Sequence, residues 1–284
     1  MDAEVMRVGF QGEAGAFSEA AAVQLLGEKI TTVPRPTFDA TFRAISEGAA
    51  DALLVPVENS LAGSVVRVYD LLLQSELTIT AETILRIEHQ LIGCPGGSLR
   101  DLRSVASHPV ALAQCERFFL SHPHLKRVAS EDTAGSVREV LARGDKAYAG
   151  IAGRRAAQKY GGIILAENIE DNPENFTRFV LLLPLDQAAK FDKRDARKMS
   201  IAMRLAHRPG SLLSSLEPFA RHSINLMKIE SRPIPGSPWV YQFFLDLEAH
   251  SAAQFDAALT EVRKATSEVR ILGLYAAAKP AAAK

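Results

Sequence analysis

Short apolar runs alternating with amphipathic helical stretches constrain this chain more than any other feature. Residues 6–10, 31–33 and 52–57 read as strands. Between them lie an alanine-rich helix over 16–26 and a second over 37–47, with Phe38, Phe42 and Ile45 on one side. This βαβαβ order predicts a largely parallel sheet covered by helices, an α/β fold. A long extended stretch, 77–91, follows. A second α/β unit then places strands at 104–106, 125–129, 146–151 and 163–165. Its helices fall at 110–119, at 133–143 ending on Gly144, and at 154–160 stopping at Gly161-Gly162, and glycine is the usual stop signal. The stretches near 77–91 and 165–175 read as two crossings between lobes. A ligand would sit in the cleft between them.

The rhythm changes after a polar stretch over 187–197, which reads as a linker. Strands at 199–205, 226–231, 239–247 and 269–274 alternate with helices at 211–222 and 252–266, and Pro-Gly-Ser-Pro over 235–238 makes a turn. The order βαββαβ is that of a ferredoxin-like unit. The Ala-, Lys- and Pro-rich tail over 276–284 is expected to be disordered.

Charge and cysteine usage narrow the function classes. Lys plus Arg and Asp plus Glu are balanced at 33 each, which leaves no basic field for nucleic acid. No apolar run approaches the length of a membrane span. The acidic start runs directly into a strand, so it does not read as a signal peptide. Two cysteines, Cys94 and Cys115, in 284 residues indicate a reducing, cytoplasmic setting. The histidines show no metal-ligand spacing, and His122-Pro123-His124 reads as a surface turn.

Four strand ends carry short polar side chains. Asn175-Phe176-Thr177-Arg178-Phe179 precedes the apolar run Val180 to Leu183, which ends at Pro184. It places a hydroxyl, an amide and a guanidinium at the mouth of a sheet, where α/β proteins hold ligands. Successive strand residues face opposite ways, so Arg178 either serves a ligand or pairs structurally away from Thr177. Glu58-Asn59-Ser60 ends the strand over 52–57, as helix caps before an expected helix or as donors for a carboxylate. Ser107-His108-Pro109, with Gln114 beyond it, lies at a third strand end, where His108 reads as satisfied by backbone. Asp132 or Thr133 opens the helix at the fourth, as a cap or a ligand group. The loop from Gly9 to Ser18 joins strand to helix, and its N–H groups can face an anion. Its glycines do not fit the dinucleotide fingerprint.

Taken in chain order, Gly-Glu-Ala-Gly-Ala-Phe-Ser, Pro-Val-Glu-Asn-Ser, Ser-His-Pro with Ala-Gln-Cys, and Asn-Phe-Thr-Arg-Phe resemble prephenate dehydratase. Glu230-Ser231-Arg232-Pro233 resembles the regulatory ACT domain that follows it in that family. The resemblance implies a two-lobed catalytic domain like periplasmic binding proteins over 1–186, with lobe 1 about 1–80 and 168–186 and lobe 2 about 81–167. An ACT domain follows over 198–276. It implies conversion of prephenate to phenylpyruvate, water and carbon dioxide, with no cofactor or metal.

By the same resemblance Thr177, Arg178 and Phe179 are catalytic. Glu58, Asn59, Ser60, Ser107, Gln114, Asp132 and Asn175 bind substrate. L-Phenylalanine is the feedback effector, held between subunits of a homodimer or homotetramer by Gly210, Ser211, Leu212, Leu213, Asn225, Leu226 and Glu230 to Pro233. Two departures stand out. Ala16 replaces the family's common Thr, as in the similar arogenate dehydratases, and keeps arogenate open as substrate. Ser211 and Leu213 depart from the common Gly-Ala-Leu-Val loop.

Overall fold

The computed structural model describes residues 5–188, 195–234 and 236–278, with backbone only for 237–239. The chain divides into two compact units. One contains residues up to Ser75 and Thr83–Val180, the other Glu76–Glu82 and Leu181–Ala278. The expected linker and tail lie partly outside the described residues, as does Pro235 of the expected turn. No described helix is long and apolar enough to cross a membrane.

The first unit opens with β1 (Arg7–Gln11), α1 (Phe17–Leu26), β2 (Thr31–Arg35), α2 (Phe38–Ser46) and β3 (Ala52–Asn59). A two-residue β4 (Gly63–Ser64), α3 (Val66–Gln74) and β5 (Leu77–Arg86) follow. β1 lies parallel to both β2 and β3, the expected βαβαβ arrangement. Val8, Phe10, Leu53 and Leu54 are wholly buried there, so the apolar runs form this lobe's core.

The second lobe is built from β6 (Gln90–Gly93), β7 (Ser104–Ser107), α4 (Pro109–Ala113), α5 (Glu116–Ser121), β8 (Lys126–Ala129), α6 (Thr133–Arg143), β9 (Tyr148–Ala152), α7 (Arg154–Tyr160) and β10 (Ile163–Ala166). Its strand order is β10–β6–β9–β7–β8. Neighbouring strand residues point to opposite faces. Leu91 and Ile151 join Val105, Leu112 and Phe119 in one cluster, while Ile92 and Ala152 join Ala134, Val137 and Ala156 of α6 and α7 in another. β11 (Phe176–Pro184) returns to the first lobe beside β3.

Two expected elements differ. Residues 110–119 form two short helices rather than one. Asp171 explains the break: its carboxylate accepts from Glu116 N at 2.8 Å and Arg117 N at 2.9 Å, capping α5, while its own N–H donates to Gln114 O at 2.7 Å. No helix starts directly after Ser60 either. Asn59 Oδ1 accepts from Leu61 N and Ala62 N at 3.0 and 2.8 Å, and the chain folds back as β4 onto Glu58 and Asn59.

The second unit continues through α8 (Leu185–Ala188), β12 (Lys198–Arg204), α9 (Ser211–Arg221), β13 (Asn225–Ile234), β14 (Ser237–Glu248), α10 (Ala252–Ala265) and β15 (Glu268–Tyr275). From β12 onward this is the expected ferredoxin-like order. β12 pairs antiparallel with β14 and β15, and β13 pairs with β14. Ile201, Leu247, Phe255, Ala258 and Val262 close its core. β15 also lies parallel to β5 at Gly273 and Ile79. A Cβ on Gly273 would stand 2.3 Å from Ile79 O, so only glycine permits that approach.

Candidate active site

The first unit gathers the amide side chains of Asn59, Gln114 and Asn175 around Thr177. Asn175 immediately precedes β11 and Thr177 is its second residue; they are 1% and 8% exposed. Asn59 Nδ2 donates to Thr177 Oγ1 at 2.9 Å, to Asn175 Oδ1 at 2.8 Å and to Phe176 O at 3.2 Å. Three acceptors share two hydrogens, so Asn59 is pinned from both ends of its amide. Because Thr177 Oγ1 accepts that bond, its O–H is free to donate elsewhere. Asn175 Nδ2 donates to Gln114 Oε1 at 3.1 Å. Sequence positions 59, 114 and 175–177 thus form one connected polar group.

The other expected site residues are placed as follows. Ser60 Oγ donates to Glu174 O and accepts from Phe176 N, each at 2.9 Å, tying the β3 end to the β11 start. Arg178 turns to the alternate side of β11, and its Nη1 lies 3.7 Å from Glu58 Oε2. Phe179, two residues further along the same face of β11, is 2% exposed in the core. Ser107 Oγ is buried and donates to Ile151 O at 2.7 Å, which leaves lone pairs but no proton for a ligand. Asp132 caps α6 by accepting from Gly135 N at 2.6 Å. It also lines a hollow between the two lobes with Gln11, Gly12, Glu13, Arg35 and Glu131. His108 caps α4, its Nδ1 accepting from Val110 N at 3.2 Å.

The loop before α1 holds the lobes together. Gly15 has φ +88°, and a Cβ there would meet Ala156 Cα of α7 at 2.8 Å. Tyr160 OH donates to Ala14 O at 2.7 Å. Gly15 N donates to the Glu19 carboxylate, so this N–H is already satisfied within the protein. Ala16 is the N-cap of α1 and offers no side-chain acceptor.

Sequence reasoning reached the loop with Gln11 and the junction with Glu131 but missed Arg35 in the hollow, and above all His89. His89 lies between β5 and β6, where 77–91 reads only as an extended stretch with single charges. It is 2% exposed. Its Nε2 lies 2.9 Å from Gln114 Oε1, and its N–H donates to Glu170 Oε2 at 2.9 Å. Burial pushes the imidazole below its ordinary value, more than the Gln114 hydrogen bond and the Glu170 charge push it up. Folding therefore favours the neutral ring. Its contribution to stability is complete above the unfolded value of 6.5 and is lost as pH falls below it, because only the unfolded chain takes up the proton readily. Denaturant unfolding between about pH 8 and pH 5 is expected to show wild type losing more stability than His89→Gln. Equal losses would contradict this.

An α/β protein with two lobes, and a polar group of amides around one hydroxyl where they meet, is built to hold a small polar molecule. Residues 8–186 match the family model for prephenate dehydratase. The chain is 39% identical over 289 residues to arogenate dehydratase/prephenate dehydratase 1 of Arabidopsis thaliana, covering 96% of this chain and 73% of that protein. A solved prephenate dehydratase from Arthrobacter aurescens, in complex with L-Phe, superposes with a TM-score of 0.84 at 32% identity, covering 95% of this chain and 90% of that one. A structure described as GqqA, a novel type of quorum quenching acylase, superposes with a TM-score of 0.86 at 33% identity, covering 96% and 98%. The chain belongs to the prephenate dehydratase family. Its reaction class is that of a carbon–oxygen lyase that couples dehydration to decarboxylation.

Proposed function

We propose that this chain converts prephenate to phenylpyruvate, carbon dioxide and water in L-phenylalanine biosynthesis, under feedback inhibition by L-phenylalanine. The observation that carries the catalytic part is Asn59 Nδ2 donating to Thr177 Oγ1, which turns the threonine hydroxyl into a donor. In the reaction the bond to the ring carboxylate breaks and its electron pair becomes a ring double bond. The ring carbon–oxygen bond breaks with its electron pair going to oxygen, and the departing hydroxide takes up a proton from solvent to give water. Thr177 hydrogen-bonds that departing oxygen as its charge grows. A threonine is a poor acid, so the bond works by being fixed in a site shielded from water. The free NH2 of Gln114 serves a substrate carboxylate. Arg178, held by Glu58, supports the β11 frame.

The regulatory part rests on the second unit, read as an ACT domain. Gly210, at φ +82°, opens α9. Ser211 and Leu212 line a hollow with His207, Arg208, Tyr241 and Phe243, and Ser211 Oγ is buried without a hydrogen-bond partner among the described residues. Tyr241 and Phe243 pair with Pro233 and Ser231, which brings the Glu230 to Pro233 segment to the same end of the sheet. Leu213 is exposed. Asn225 and Leu226 pair with Glu248 and Leu247 at the other end of β13, roughly 20 Å away at strand spacing. One subunit does not unite the two groups, so the effector site is completed by a second copy. A cytoplasmic homo-oligomer follows from this reading.

Arogenate is the second substrate, favoured by Ala16 at the α1 cap. An acylase would need an activated nucleophile, and Cys115 is buried in a surrounding that pushes its thiol upward. The test is turnover of prephenate and of arogenate by the purified chain, with and without L-phenylalanine. Prephenate turnover suppressed by L-phenylalanine is the expected result. Preference for arogenate moves the reaction one step along the pathway. No turnover of either overturns the catalytic assignment.

A further inference from the structure

We infer that His89 is a positioning residue for Gln114, fixing its amide so that NH2 rather than carbonyl oxygen meets the substrate. This role rests on the dehydratase reading above. Gln114 Oε1 receives Asn175 Nδ2 at 3.1 Å, so it is the oxygen end of the amide, and His89 Nε2 at 2.9 Å must donate to it. Two donors then occupy the two lone pairs of Oε1. The amide is locked in one of its two orientations, and its Nε2 hydrogens have no protein partner among the described residues. They are left for a ligand.

The same bond sets the histidine tautomer. With the proton on Nε2, Nδ1 is a bare acceptor, and it is buried without a hydrogen-bond partner among the described residues. An unpartnered ring nitrogen on a 2% exposed side chain is costly to keep. A purely packing role would be served better by leucine or phenylalanine.

His89 is itself held where the lobes cross. Its N–H binds Glu170, its carbonyl accepts from Ile169 N at 2.9 Å, and its ring meets Phe17 edge-on at 5.7 Å. Ile87 N donates to Asn175 O at 2.7 Å. The two crossing segments thus fix the ring, and the ring fixes Gln114. An amide free to rotate would present its oxygen to a carboxylate half the time, which repels it.

The experiment compares steady-state kinetics of full-length wild type, His89→Leu, His89→Gln and His89→Asn, each also in a Gln114→Ala background. A hydrogen bond to a spectator carboxylate acts on ground and transition states alike, so its loss appears mainly in KM. His89→Leu is expected to lower kcat/KM about tenfold to a hundredfold, chiefly through KM, as for a lost bond to a charged group. His89→Gln places an N–H near the original Nε2 and stays within about threefold of wild type, while His89→Asn is too short to reach and resembles His89→Leu. In the Gln114→Ala background His89→Leu changes kcat/KM less than about twofold, since the bond it served is gone.

Equal kinetics of His89→Gln and His89→Asn overturn the role, even if His89→Leu does not fold. An undiminished His89→Leu effect without Gln114 overturns it as well. A wild-type chain that turns over neither prephenate nor arogenate overturns the dehydratase reading and this role with it. An active wild type with unaltered variants overturns the role alone.

Discussion

Thr177→Ala is expected to lower kcat at least about a hundredfold while KM changes less than threefold, the range for loss of one fixed hydrogen-bond donor to a developing negative charge. The hydroxyl is 8% exposed and receives Asn59 Nδ2 at 2.9 Å. Removing it deletes the donor to the leaving oxygen, while both hydrogens of the Asn59 amide keep acceptors in Asn175 Oδ1 and Phe176 O. The neighbouring amides therefore hold their places and ground-state binding survives. Thr177→Ser retains the hydroxyl and should keep much of the rate, less what an extra free rotamer costs. Stopped or continuous assays of phenylpyruvate formation decide the matter. A Thr177→Ala enzyme with normal kcat and raised KM would reduce Thr177 to a binding residue.

The largest effect on stability is expected from Glu82→Gln. Lys198 Nζ lies 2.9 Å from both carboxylate oxygens of Glu82, with the two side chains 11% and 2% exposed. Glu82 Oε1 also accepts from Ala278 N at 2.9 Å. Removing one partner leaves the Lys198 charge with no counter-ion among the described residues, at about 3–5 kcal/mol. Replacing both, as Glu82→Leu with Lys198→Met, is expected to cost much less, because no ion then stays buried. Chemical denaturation of wild type and the two variants checks this. A Glu82→Gln loss below about 1 kcal/mol would show that water reaches Lys198 in solution.

These two predictions differ in how far the sequence anticipates them. Thr177 stands in a motif that can be read directly, between an amide and an apolar run. Its neighbours are less direct. Asn59 and Gln114 are 55 residues apart in the chain, and either could have been an ordinary cap. What joins them in one polar group is that Asn175 bonds to both. Arg178 and Phe179 show the opposite case. They belong to the same motif, yet strand alternation turns Arg178 to the other face, toward Glu58, and Phe179, on the face of Thr177, is a buried core residue. The break between α4 and α5 was invisible because its cause, Asp171, lies more than fifty residues further on. Glu82 gave no signal at all, since its partner is over a hundred residues distant.

The sequence by itself determined the classes of structure: parallel α/β lobes from alternating apolar runs, and a βαββαβ unit from the change of rhythm after the polar stretch. Hydrophobic periodicity is local, so a window of ten residues is enough to read it. It also determined which strand ends carry polar groups. The tertiary structure alone decided which of those groups meet. Hydrogen bonds from His89 through Gln114, Asn175 and Asn59 to Thr177 join residues brought together only by the crossing of the lobes. A side chain's orientation depends on the partner at its far end, and that partner is set by packing rather than by neighbours in the chain.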